Sequence, residues 1–293
     1  MAAVLNSNIA SLYASKNLQG AQNKMANSVE RLSSGLRINR AKDDAAGLGI
    51  SNALTSQINS ANQGVRNLND GISLVQTAEG AITAAQEMAQ RILTLAVQGS
   101  NGTLGLAERT AIQSEMNTLL SAMDLITTRT TFSGVALLDT TVGTSTATKF
   151  SLQVGKDSAD KIDLDTIAFK KVGKTEGQAK AVSDLIVDAD ITSTVAATAQ
   201  AKFRAVATSA GTLIENLSKQ RSLLGAYQNQ IGYTVDNVTD LSANLSAARS
   251  NVLDTDYASE TASLTKGQIL QQAATAMLAQ ANQMPNVILS LLK

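Results

Sequence analysis

Few side chains in this sequence have the type and spacing that covalent or metal chemistry needs. Gly173-Lys174-Thr175 has the ending of a phosphate-binding loop. In such a loop glycines let backbone N–H groups close on the phosphates, and the lysine meets their charge. The loop also needs a glycine at position 168, where Ala168 stands. Gly47-Leu48-Gly49 is too short to mean more than a flexible turn. Asp184, Asp188 and Asp190 have calcium-type oxygens, but no glycine-centred loop with a terminal Glu follows them. A solvated acidic loop is expected there. Asn101-Gly102-Thr103 matches a glycosylation acceptor, a tripeptide common by chance. The chain has no histidine and no cysteine. It therefore lacks the commonest general base, the commonest zinc ligand, any thiolate and any disulfide. Carboxylate chemistry is the one enzymatic route left open. The expectation is a protein that is not an enzyme, with no cofactor and no metal.

The composition suits something else. The 293 residues suggest about two domains. Aromatics make up 3% and there is one proline, whereas compact cores usually lean on aromatic side chains. A chain rich in Ala, Leu, Ile and Val instead suits long helices packed side by side. The formal charge is zero, with 24 basic and 24 acidic residues, and no basic cluster stands out, so no nucleic-acid partner is expected. The N-terminus lacks the basic start and apolar run of a cleaved signal peptide.

Residues 267–292, GQILQQAATAMLAQANQMPNVILSLL, hold no charged side chain. Seven Gln and Asn residues make this stretch too polar to span a membrane, which takes about 20 mostly apolar residues. Yet Ile269, Leu270, Met277, Leu278, Val287 and Leu291 need cover. Either an ordinary globular core supplies it, or other copies do. The N-terminus has the same character. Leu5, Ile9 and Leu12, then Met25, Val29, Leu32 and Leu36, draw apolar stripes at helical spacing. Their polar faces are mostly Asn, Gln and Ser rather than charges. Two charge-lean helices at opposite ends of one chain are natural partners.

Residues 34–50 read as an irregular connector. From about Ser51, Leu54, Ile58, Val65, Leu68 and Ile72 fall in a four-three alternation, the period of a coiled coil. A helix reaching Gln98 would be about 70 Å long at 1.5 Å per residue. A third helix is predicted from about Leu106 to Thr128. Ser133-Gly134 between β-prone flanks reads as a hairpin turn. Over 139–197 helical periodicity fades, and 149–154 and 161–165 read as strands. From about Ala199, Leu217, Leu224 and Ile231 mark a second long helix, ending near Asp254, able to lie antiparallel to the first. The fold class is mainly α: long antiparallel coiled-coil-like helices with a small hairpin and a short β-containing insert.

Residues 30–51 (ERLSSGLRINRAKDDAAGLGIS), 90–101 (QRILTLAVQGSN), 111–116 (AIQSEM), 131–138 (TFSGVALL) and 248–292 together resemble, in order, the signatures of bacterial flagellins. The resemblance covers 1–138 and 198–293 and is weak over 139–197, where LQVGKDSADKIDLD is similar to the start of the family's outer domain. It implies a secreted structural subunit, exported through the flagellar type III route, that polymerises into the extracellular filament of swimming motility. The implied domains are 1–42 and 254–293 (the two halves of D0), 43–138 and 198–253 (the two halves of D1), and an outer insert over 139–197. The terminal helices would fold on assembly and form the inner tube. The implied partners are other copies of the chain, an export chaperone, cap and hook-associated proteins, and an innate immune Toll-like receptor; no membrane partner is implied. Receptor contact would fall on Arg91, Leu95 and Glu115, although Leu93 and Thr94 stand where charges are usual. The hairpin Phe132, Ser133, Gly134 and Val135 corresponds to a supercoil switch. O-linked sugars would fall on Thr140, Thr141, Thr144, Ser145 and Thr146. A hook–filament junction protein is the rival within the same machinery. A membrane-active amphipathic protein is a rival from another class, disfavoured by the Asn/Gln-rich faces without a basic stripe.

Overall fold

A computed structural model describes residues 8–138, 150–165, 172, 178–187 and 189–291, with the backbone alone at 189–190 and 284–291. Leu5, the side chains of Val287, Leu291, Asp188 and Asp190, the Gly173-Lys174-Thr175 motif and the Thr/Ser run from Thr140 to Thr146 lie outside the described residues or side chains. Helices dominate: α1 (Ile9–Ser34), α2 (Ala45–Gly99), α3 (Leu106–Arg129), α4 (Lys180–Val187), α5 (Ala196–Leu253) and α6 (Tyr257–Leu291). Two antiparallel hairpins, β1 (Thr131–Phe132) with β2 (Val135–Ala136) and β3 (Phe150–Gln153) with β4 (Lys161–Leu164), and a 3-10 turn at Ala189–Thr192 complete the described elements. The chain forms two compact units, one of Met1–Ile58 with Ala243–Lys293, the other Asn59–Ser242. Their boundaries fall inside α2 and α5.

The second unit is a helical core. On α5 the buried positions Ala199, Phe203, Val206, Ala210, Leu213, Leu217, Gln220, Leu224, Ile231 and Val238 keep the four-three spacing over most of the helix. Leu68, Val75, Ile82, Ala89 and Ile92 of α2 and Met116, Leu120 and Met123 of α3 share one cluster with the α5 residues from Phe203 to Leu217, Leu224 and Ile231. Side-chain contacts fix the α2–α5 direction. Asn62 Oδ1 accepts from Ser242 at 3.0 Å, Glu79 from Gln228 at 2.7 Å, and Gln86 from Arg221 at 2.9 Å. Positions rise on α2 as they fall on α5, so the pair is antiparallel. Gln220 sits in this apolar stripe at 2% exposure. A polar residue at a core position of a coiled coil sets register at some cost in stability.

The β1–β2 hairpin turns through Ser133 (φ 49°) and Gly134 (φ 80°). Both are left-handed, as a two-residue type I′ turn requires. The β3–β4 hairpin lies against α2 and α5. Asn67 Nδ2 donates to Gln153 O at 2.8 Å, and the Asp165 amide donates to the Tyr227 hydroxyl at 2.9 Å. On its outer face the Ser151 hydroxyl, then Lys161, hold the exposed Asp163 carboxyl below the usual carboxylate range. The close approach to α2 needs Gly64, where an added Cβ would lie 1.8 Å from Val154 O. Gly64→Ala should therefore unseat the hairpin rather than strengthen the helix. Overpacking of this kind costs about 1–3 kcal/mol, to be read as lower thermal stability and faster proteolysis within 150–165. A stability gain would contradict the close seat.

Several expectations are corrected. The connector is shorter than 34–50, because Asp44 caps α2 through the Gly47 amide at 2.9 Å and draws Gly47 and Gly49 into the helix. α1 stops at Ser34, where Gly35 (φ 72°) takes the left-handed cap position that glycine fills without strain. Leu36 is therefore not on the α1 stripe but bridges Asp254 in the returning connector. Within the insert, α4 was not legible. It has barely two turns, too few for a periodic signal, yet Val182 and Ile186 are buried and Ile186 O accepts from Gln113 at 2.7 Å.

Candidate assembly surface of the terminal helices

α1 and α6 pair antiparallel within the first unit. Asn8 caps α1 by accepting from the Ser11 amide at 3.1 Å, and its Nδ2 donates to Ala281 O at 2.7 Å. Ser11 Oγ meets Asn282 at 2.9 Å, and at the other end Arg31 lies 3.6 Å from Glu260.

The seam is built from small residues. Ala14, Ala21 and Ser28 recur every seventh position on α1, and Gly267, Ala274 and Ala281 on α6, and all six are buried. Half-buried Ser11, Leu18, Met25 and Leu32 alternate with the first set, and Glu260, Leu264, Gln271 and Leu278 with the second. Small side chains let two helices approach closely, but each buries little. An alanine methyl offers roughly 0.8 kcal/mol on burial, against about 1–2 kcal/mol to order one residue's backbone.

Other large apolar side chains point outward. Leu12 is 72% exposed, Met277 66% and Ile269 60%, with Ile9, Tyr13, Val29 and Leu270 also exposed. Of the residues expected to drive assembly, Leu32 and Leu278 therefore belong to the seam, whereas Ile9, Leu12, Ile269, Leu270 and Met277 face outward. An open groove of about 940 Å³ runs along the pair, lined by Ala14, Ala21, Leu270, Ala273 and Met277, with Lys16 and Lys24 also lining it. The six small seam residues carry too little apolar surface to stand out in a pattern of large side chains. The legible signal was the seven-residue recurrence of small ones.

The other expected sites fall as follows. Leu68, Leu217, Leu224 and Ile231 are fully buried, Ile58 is buried, and Leu54, Val65 and Ile72 are half-buried. Phe132 is half-buried and Val135 exposed on the β1–β2 hairpin. Arg91 is exposed and donates through Nε and Nη2 to Glu115 Oε1 at 2.9 and 2.7 Å. Leu95 is 1% exposed. It lies one turn from Arg91 but inside the core. Asp184 pairs with Lys180 at 3.1 Å. Among the described residues no group of three or more side chains is placed to hold a metal ion. Among them, too, no helix is long and apolar enough to cross a membrane.

Residues 5–146 match the bacterial flagellin N-terminal helical region, and 207–292 the C-terminal helical region. A flagellin of Bacillus subtilis is 39% identical over 303 residues, covering 99% of both chains. This chain belongs to the bacterial flagellin family. A flagellin of Halalkalibacterium halodurans is likewise 39% identical, over 290 residues. Flagellin B of Vibrio cholerae is 34% identical over the whole of both chains. A crystal structure of Bacillus cereus flagellin overlaps 63% of this chain and 94% of its own, at 23% identity and a TM-score of 0.46. As a flagellin the chain is a structural subunit of the flagellar filament and serves motility. Its family is one of structural proteins, and its relatives form the extracellular flagellum. Nothing in these matches favours the junction-protein alternative.

Proposed function

We propose that α1 and α6 complete their folding only when neighbouring subunits cover the outward apolar face, so that polymerisation and the ordering of the two ends are one event. The supporting observation is the division of labour in the pair, with small residues in the seam and Ile9, Leu12, Ile269, Leu270 and Met277 outside it. Burying each of these large side chains is worth about 1.5–3 kcal/mol. Only neighbours bring such terms, and with them the sum moves from marginal to favourable. The charge-lean polar faces suit such an interior. Asn and Gln hydrogen-bond across subunits, whereas buried Lys or Glu would need partners or incur a large desolvation cost. In this proposal the pair forms the inner tube of the filament (D0). The β1–β2 hairpin is carried as the supercoil switch. Leu5, Leu36, Val287 and Leu291 complete the proposed assembly set. Family membership supports an export chaperone, cap and hook-associated proteins as further partners. Family membership likewise supports a Toll-like receptor meeting the Arg91, Leu95 and Glu115 region, where Arg91 and Glu115 are the exposed side chains.

Leu12→Asp and Ile269→Asp test this with little disturbance of the seam. Each should leave the helical signal of the second unit intact by circular dichroism and raise the critical concentration for seeded assembly at least about a hundredfold, since an unpaired buried charge costs several kcal/mol. Sedimentation of either variant as normal polymer would remove the outward face from the interface.

A further inference from the structure

We propose that Met277 is a sulfoxidation site and that its sulfoxide keeps a subunit out of the polymer. The proposal rests on the assembly role of α6 given above. Among methionines whose side chains are described, Met116 and Met123 are fully buried and Met25 and Met88 half-buried, whereas Met277 stands 66% exposed. It forms a wall of the α1–α6 groove with Leu270, one heptad before it. Two large apolar residues a heptad apart present a knob row to a further helix, so Met277 sits where an incoming subunit would pack.

The co-reactant is a peroxide such as hydrogen peroxide. The thioether sulfur attacks one peroxide oxygen and the O–O bond breaks. An S–O bond forms, sulfur loses two electrons to the peroxide, and the second oxygen leaves as water after proton transfer. The product replaces a flexible apolar side chain with a polar, chiral one. A neighbour's apolar side chain laid over it would strip water from the S–O group without returning a hydrogen bond. The expected result is about a tenfold rise in critical concentration. Once in the filament the sulfur is covered, so the free subunit is the vulnerable form.

The full chain should be treated briefly with hydrogen peroxide as dilute monomer, quenched, and seeded with untreated filament. Peptide mass spectrometry then measures Met277 sulfoxide in pellet and supernatant. Oxidation at Met277 ahead of Met88, Met116 and Met123, with the sulfoxide depleted at least about fivefold from the pellet, is expected. Treated Met277→Leu, which keeps apolar volume, should lose far less assembly than treated wild type. Equal sulfoxide in pellet and supernatant overturns the proposal, as does equal loss by Met277→Leu, which would place the sensitive sulfur elsewhere. If Ile269→Asp fails to assemble while either of these occurs, the assembly role of α6 stands and only the sulfoxidation site falls.

Discussion

Chains lacking residues 1–35 or 255–293 are expected to stay soluble and folded through the second unit while forming no filament at any concentration. The core of that unit draws on α2, α3, α5 and the hairpins, with Leu68, Ile82, Met116, Leu120, Leu213, Leu217 and Leu224 all but fully buried without help from either end. Removing one end strips away one helix of the α1–α6 pair and, with it, half of the small-residue seam. The other helix then has no partner for Ala14, Ala21 and Ser28, or for Gly267, Ala274 and Ala281. Helical circular dichroism with a cooperative thermal transition should survive, and electron microscopy after seeding should show no filaments. Filaments from either truncation would sink the claim that both ends are required.

Ala21→Leu carries the second large effect, and its sign separates close packing from simple greasiness. The substitution adds apolar surface to a helix that already needs cover, so a model based on hydrophobicity alone predicts better assembly. Ala21 is buried in the α1–α6 seam, where a leucine is expected to displace the facing helix. Overpacking costs about 1–3 kcal/mol. The predicted outcome is loss of seeded assembly, with Ala274→Leu behaving alike. Normal polymer from Ala21→Leu would mean that the two helices do not meet through their small residues.

These two variants also show where the fold was legible. The long helices were readable because their cores follow a four-three alternation of large side chains, and burial on α5 follows that spacing. The hairpin at Ser133-Gly134 was readable because the turn needs positive φ at both positions. The paired ends were legible only in part. Large side chains drew attention to Ile9 and Leu12, but a close antiparallel pair buries its smallest residues, so the visible stripe is the outer face. Leu95 shows the converse. Helical spacing puts it beside Arg91, but one turn carries the side chain from the rim of the helix into the core. α4 and the seating of β3–β4 on Gly64 depend on tertiary contacts that local pattern does not encode.

Hydrogen exchange on dilute monomer and on assembled filament, compared amide by amide, bears most directly on the coupling of folding to assembly. Amides of α1 and α6 should exchange in the monomer with little protection while those of α3 and the centre of α5 stay protected, and all should become protected in the filament. Terminal helices as protected in the dilute monomer as α3 would show that one chain suffices to hold them, and would contradict the account.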